Sequence, residues 1–164
     1  MKPIIVNYKK AVIWSTVVII LQMFVFYLLW MNPVVKEVSA QFTDHPSIKP
    51  YEFVGGQDNW MMLRTLFHIV FLSSFIYLYL FFYKTIPGVG WKKGLCFGLL
   101  MGAITHIPEA FNQWTLITYP SQLILLQLIN GAIALAIYGI LVAIIFQKMH
   151  IIEETTNNVK DYAL

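Results

Sequence analysis

Four stretches of this chain stay apolar for twenty residues or more, and no other feature constrains the fold as strongly. They run over about 10–31, 59–83, 91–118 and 121–147. A helix of roughly 20 mostly apolar residues spans the hydrocarbon core of a bilayer. In lipid the backbone must satisfy its own hydrogen bonds, which favours helices for such segments. Hydrophobic residues make up 59% of the chain and charged residues 12%, against about 45–50% and about 25% in soluble domains. This composition excludes a soluble enzyme, a disordered tail and a nucleic-acid-binding module. The expectation is an all-α fold: a membrane-spanning antiparallel four-helix bundle, forming one membrane domain over 1–164, without internal repeats.

The loops give an orientation. Lysine and arginine number three in residues 1–10, three in 84–93 and two in 148–164, whereas 32–58 holds two and 118–121 none. By the positive-inside rule both termini are cytoplasmic, and a multi-pass protein of the bacterial cytoplasmic (inner) membrane is expected. The basic residues before the first span resemble a signal peptide. The run that follows has 20 residues, too long for a signal core of about 7–15, and reads as an uncleaved anchor.

The outer loop 32–58 opens with Asn32-Pro33, an N-cap followed by proline at the first helical position. A short amphipathic helix should follow, with Val34, Val38 and Phe42 on one face. The loop is either a passive connector or a lid. The tail 153–164 is polar and expected to be mobile. Cys96 is the single cysteine, so no intrachain disulfide forms, and it reads as a small packing residue.

Gly90, Gly94, Gly98 and Gly102 recur every fourth residue in the third span. Small residues at this spacing let helix backbones approach closely in lipid, and Gly131 extends the pattern to the fourth span. The glycine face of the third span continues through Thr105, His106, Glu109, Asn112 and Gln113.

The other spans carry polar residues at matching depth. Arg64 and His68, at i and i+4, lie roughly 8–14 Å below the outer end of the second span at about 1.5 Å per residue. His106 and Glu109 fall at roughly 13–18 Å, Gln127 and Asn130 at roughly 9–14 Å, and Gln22 at roughly 12 Å. A charge at mid-membrane costs about 2.5 kcal/mol or more, so Arg64 and Glu109 should turn inward and pair. Pro108 frees the carbonyl of Ile104 beside this layer and favours a kink.

Several readings of the layer follow. It can be a self-satisfied network that fixes helix register. It can be a cavity open to the outer side that binds a small polar or anionic ligand or handles a proton. A haem or metal at His68 and His106 is a further option, disfavoured by Arg64 one turn away. The chain carries no nucleophile elbow, P-loop, dinucleotide fingerprint or zincin motif. It is therefore read as a non-enzyme without a cofactor. Trp14, Trp30, Trp60, Trp91 and Trp114 lie near span ends, as interfacial anchors do. A different class of function is a non-catalytic accessory subunit, packing against other membrane-protein subunits or further copies of itself.

Gly88-Val-Gly90, Lys93-Gly94-Leu-Cys-Phe-Gly98-Leu-Leu-Met-Gly102, Pro108, Gln113 and Tyr119-Pro120 form one pattern with Leu126-Gln-Leu-Ile-Asn130-Gly131, Gly139 and Val142-Ala143. Over 85–146 this pattern resembles a family of small, uncharacterised bacterial four-helix integral membrane proteins. The resemblance implies a four-helix membrane bundle and no particular activity. Similar proteins tend to carry an acidic residue in the fourth span, near Ala134 here. This chain has none there and has Glu109 in the third span instead.

Overall fold

The computed structural model describes residues 4–48 and 50–154. Their order is β1 (Ile4–Val6), α1 (Tyr8–Met31), α2 (Pro33–Ala40), a 3-10 turn (Tyr51–Val54), α3 (Gln57–Phe82), α4 (Trp91–Leu116), α5 (Ser121–Lys148) and β2 (Ile152–Glu154). Four of these helices are long and apolar enough to cross a membrane. They match the four apolar stretches to within a few residues and pack as a helical bundle.

Local chemistry sets several of the boundaries. The Asn7 side chain accepts from Lys10 N–H at 3.1 Å and caps α1. Asn32 ends α1 and starts α2: its Oδ1 accepts from Val35 N–H at 3.0 Å, with Pro33 at the first helical position. The short helix thus forms where the Asn-Pro pair placed it, but its inward residue is Val35, while Val34 is exposed. The helix packs beside α1 and α5 with its buried face shifted by one residue from the expected one, although Val38 and Phe42 stay half-buried. The chain enters α3 through Gly55 and Gly56, both at positive φ (85° and 102°).

The closest pair is α4 with α5. A Cβ on Gly94 would strike the carbonyl of Gly139, one on Gly98 the carbonyl of Leu135, and one on Gly139 the carbonyl of Gly94. Those three glycines make a backbone-to-backbone seam. Gly102 is looser than the repeat implied, because its Cβ would sit at an ordinary 3.5 Å from Ala132 Cα. Gly90 caps α4 at positive φ (59°) and stands outside the helix. Gly131 serves a side chain, as described below.

α3 joins through large side chains instead. Phe75 and Tyr79 meet Phe97 edge to face, at centroid separations of 4.8 and 5.4 Å, and Phe75 also meets Tyr138 at 4.6 Å. The Tyr138 hydroxyl donates to the Leu72 carbonyl at 2.9 Å. Val18 of α1 and Val142 and Phe146 of α5 complete this fully buried core. Lys93 is buried there too, and its Nζ donates to the Tyr83 carbonyl at 2.9 Å, over the Tyr83 ring. A lysine counted as a loop charge therefore closes the carboxyl end of α3.

Two further features were not expected. Ile4–Val6 pairs antiparallel with Ile152–Glu154, and Asn7 N–H donates to the Ile151 carbonyl at 2.9 Å. A two-stranded clasp thus joins the segments just before α1 and just after α5, and residues 155–164 of the polar tail lie outside the described residues. Cys96 is exposed, on the α4 face turned away from the α5 seam. At helical spacing the seam glycines 94 and 98 flank it and take the inward positions.

Candidate functional site

Past Gly102 the α4–α5 contact changes character. His106 occupies the place where a Gly131 Cβ would be, so Gly131 makes room for an imidazole ring. From this level a cleft of about 430 Å³ opens among the four long helices. Gln22, Phe26 and Trp30 of α1 line it, with Arg64, His68, Phe71 and Leu72 of α3. Thr105, His106, Glu109 and Gln113 come from α4, and Gln127, Gly131, Ala134 and Leu135 from α5.

The polar residues of the sequence layer therefore share one cleft, with two exceptions: Asn112, which is exposed and off the lining, and Asn130. Asn130 is buried but off the cleft lining, and its Nδ2 has no partner. It lies one position before Gly131, about 100° around α5, and this turns it away.

Arg64 and Glu109 do not pair. The Arg64 guanidinium lies over the Trp60 ring at 5.0 Å and the Phe26 ring at 5.3 Å from their centroids. Trp60 is one turn earlier on α3, so the arginine folds back onto its own helix and onto α1. Glu109 instead meets His106 Nδ1 at 3.6 Å and accepts from Gln113 Nε2 at 3.3 Å, an arrangement local to α4. The α3 wall of the cleft thus holds a cation on aromatic faces, and the α4 wall holds a carboxylate with its helical neighbours.

The hydrogen bonds leave a distinct remainder. Gln22 is fully buried, and its Nε2 donates to the Ala134 carbonyl at 2.9 Å, while its Oε1 has no partner. Trp30 Nε1 and His68 Nε2 are also buried without a partner. All three residues line the cleft. The His68 ring packs on Phe26 at 4.6 Å. Two other polar residues of the lining have local partners: Thr105 Oγ1 donates to the Met101 carbonyl at 2.7 Å, and Gln127 Nε2 to the Tyr119 hydroxyl at 3.0 Å. Pro108 sits within α4, which stays helical to Leu116. Among the described residues no group of three or more His, Cys, Asp and Glu is placed to hold a metal ion.

Phe26 and Trp30 are cleft residues that the polar layer read from the sequence does not include, whereas Thr105 lines the cleft from the face expected of it. Gln22, Phe26 and Trp30 follow at i, i+4 and i+8, a single helical face, and that spacing was the available signal. Trp30, near the end of its span, also lines the cleft and has its Nε1 buried. No protein-family model, curated protein or solved structure matches the chain.

Proposed function

We propose that this chain is a four-span integral membrane protein whose cleft binds a small polar or anionic ligand. In this reading the helices are antiparallel, with both termini cytoplasmic and the cleft in the outer half. The order of partners along the seam supports the antiparallel arrangement, since Gly94, Gly98 and Gly102 meet Gly139, Leu135 and Ala132. The clasp between β1 and β2 supports a common side for the two chain ends. The resemblance to small bacterial four-helix membrane proteins belongs to the same proposal.

One observation carries the ligand reading. Gln22 Oε1, Trp30 Nε1 and His68 Nε2 are buried, unpartnered and gathered around one cleft beside the only arginine of the chain. A buried polar group without a partner costs about 1–3 kcal/mol, and native structures keep few of them. Their convergence fits a site that completes its hydrogen bonds with a bound molecule. A network serving only helix register would satisfy its own groups. The cleft volume also falls in the range of roughly 300–1,000 Å³ typical of small-molecule sites.

The test is native mass spectrometry of the full-length protein, extracted from its own membrane in mild detergent. A discrete adduct on a chain or small multiple of it is expected, and it should be lost from the Arg64→Gln variant. An adduct-free chain bound within a larger assembly of other proteins would favour an accessory subunit and overturn the ligand reading. A haem-sized adduct that survives Arg64→Gln would do the same in favour of a haem site.

A further inference from the structure

A second cleft, of about 220 Å³, lies between α1 and α3. Its own walls are mostly apolar, with Met23, Met31 and Met61 beside Tyr27 and Trp60, and Thr65 is the one further polar residue. It shares Phe26, Trp30, Arg64 and His68 with the first cleft. These four residues form a wall common to both spaces. Two of them contribute the buried, unpartnered nitrogens Trp30 Nε1 and His68 Nε2. A third supplies the guanidinium, which has no carboxylate within salt-bridge distance among the described residues.

The chemistry of this wall is asymmetric. Hydrogen-bonding nitrogens and a positive charge border an apolar slot lined by three methionines. Methionine is unbranched and polarizable and adapts to flexible apolar guests. Arginine presents several donors in a planar fork that suits a carboxylate. Glu109 stands on α4, engaged with His106 and Gln113, and leaves the α1–α3 wall to an anion.

We infer that the molecule bound here is an anionic single-chain amphiphile of the fatty-acid type. Its carboxylate meets Arg64 and the Trp30 N–H at the common wall, and its chain lies in the methionine-lined slot between α1 and α3. The inference rests on the reading of the first cleft as a ligand site and specifies the class of ligand.

The experiment titrates the full-length protein in detergent with acetate, hexanoate, octanoate and decanoate, following adducts by native mass spectrometry. Decanol and decyltrimethylammonium serve as uncharged and cationic controls. Referred to the free aqueous concentration of each carboxylate, affinity should rise about threefold to fourfold per methylene until the slot is filled. Met61→Trp should flatten that rise and leave binding of the shortest anions unchanged. Met61 is 53% exposed, so the larger ring is accommodated at the slot mouth without disturbing the core. Met31→Trp provides a second obstruction at the other wall. Arg64→Gln should weaken every anion at least tenfold.

If acetate binds as tightly as decanoate and both depend on Arg64, the amphiphile inference fails and the ligand site stands. Decanol or the cation binding as tightly as decanoate would overturn the anionic head. If no carboxylate of any length binds in an Arg64-dependent way, the anion-site reading fails together with the inference.

Discussion

The two ends of the bundle are built from the same four helices and differ in almost every physical respect. At the clasped end, α4 and α5 touch backbone to backbone, and Phe75, Tyr79, Phe97 and Tyr138 fill the space toward α3. The Tyr138 hydroxyl and the Lys93 ammonium both find backbone carbonyls. At the other end the same α4 and α5 carry His106, Gly131 and Gln127, and a cleft opens with three unpartnered polar atoms around it. The difference shows how a small chain combines rigidity with a candidate site. Close packing of small residues and aromatics holds one end, and this allows bulky polar side chains to keep the other end apart.

The largest test of this contrast lies in the seam. Gly98→Ala places a methyl group against the Leu135 carbonyl and should lower unfolding free energy by about 3 kcal/mol, at the upper end of overpacking costs. Gly102→Ala has room, and alanine is the better helix former, so its effect should stay within about 1 kcal/mol and favour the fold. Denaturant titration in detergent, read by circular dichroism, checks the pair. Equal losses at both positions would break the contrast between a tight and a loose end.

Gly131→Ala acts at the border. It should displace the His106 ring and cost about 1–2 kcal/mol. In the ligand reading it should also weaken anion binding by tenfold or more. Binding that survives while stability falls would place His106 among structural residues only. Tyr138→Phe should cost about 1 kcal/mol or less through the lost bond to Leu72, with no change in binding. A change in binding would show that the two ends are coupled.

The smallest expected effect sharpens the account of Arg64. The structure gives it aromatic partners and no pairing with Glu109. A double-mutant cycle of Arg64→Leu and Glu109→Leu should therefore show a coupling below about 0.5 kcal/mol. A coupling of several kcal/mol would restore the ion pair that the sequence suggested.

Sequence alone determined the helices, because apolar length and capping chemistry are local. The four long segments and the Asn32-Pro33 start of α2 follow from residues within a turn or two of each boundary. Helical spacing also brought Arg64, His68, His106 and Glu109 to one level, since rise per residue is fixed along a helix. What each side chain meets at that level was settled by the tertiary structure. Arg64 turned to Trp60 and Phe26, Glu109 stayed with its own helix, and Asn130 rotated out of the cleft lining. The repeat of Gly94, Gly98 and Gly102 likewise did not reveal that Gly102 is slack and that Gly139 completes the seam. The clasp between Ile4–Val6 and Ile152–Glu154 joins residues nearly the whole chain apart, and no local pattern marks it. Periodicity fixes spacing along one helix. The rotation of each helix about its axis, and the partner each side chain takes, depend on volumes supplied by distant segments.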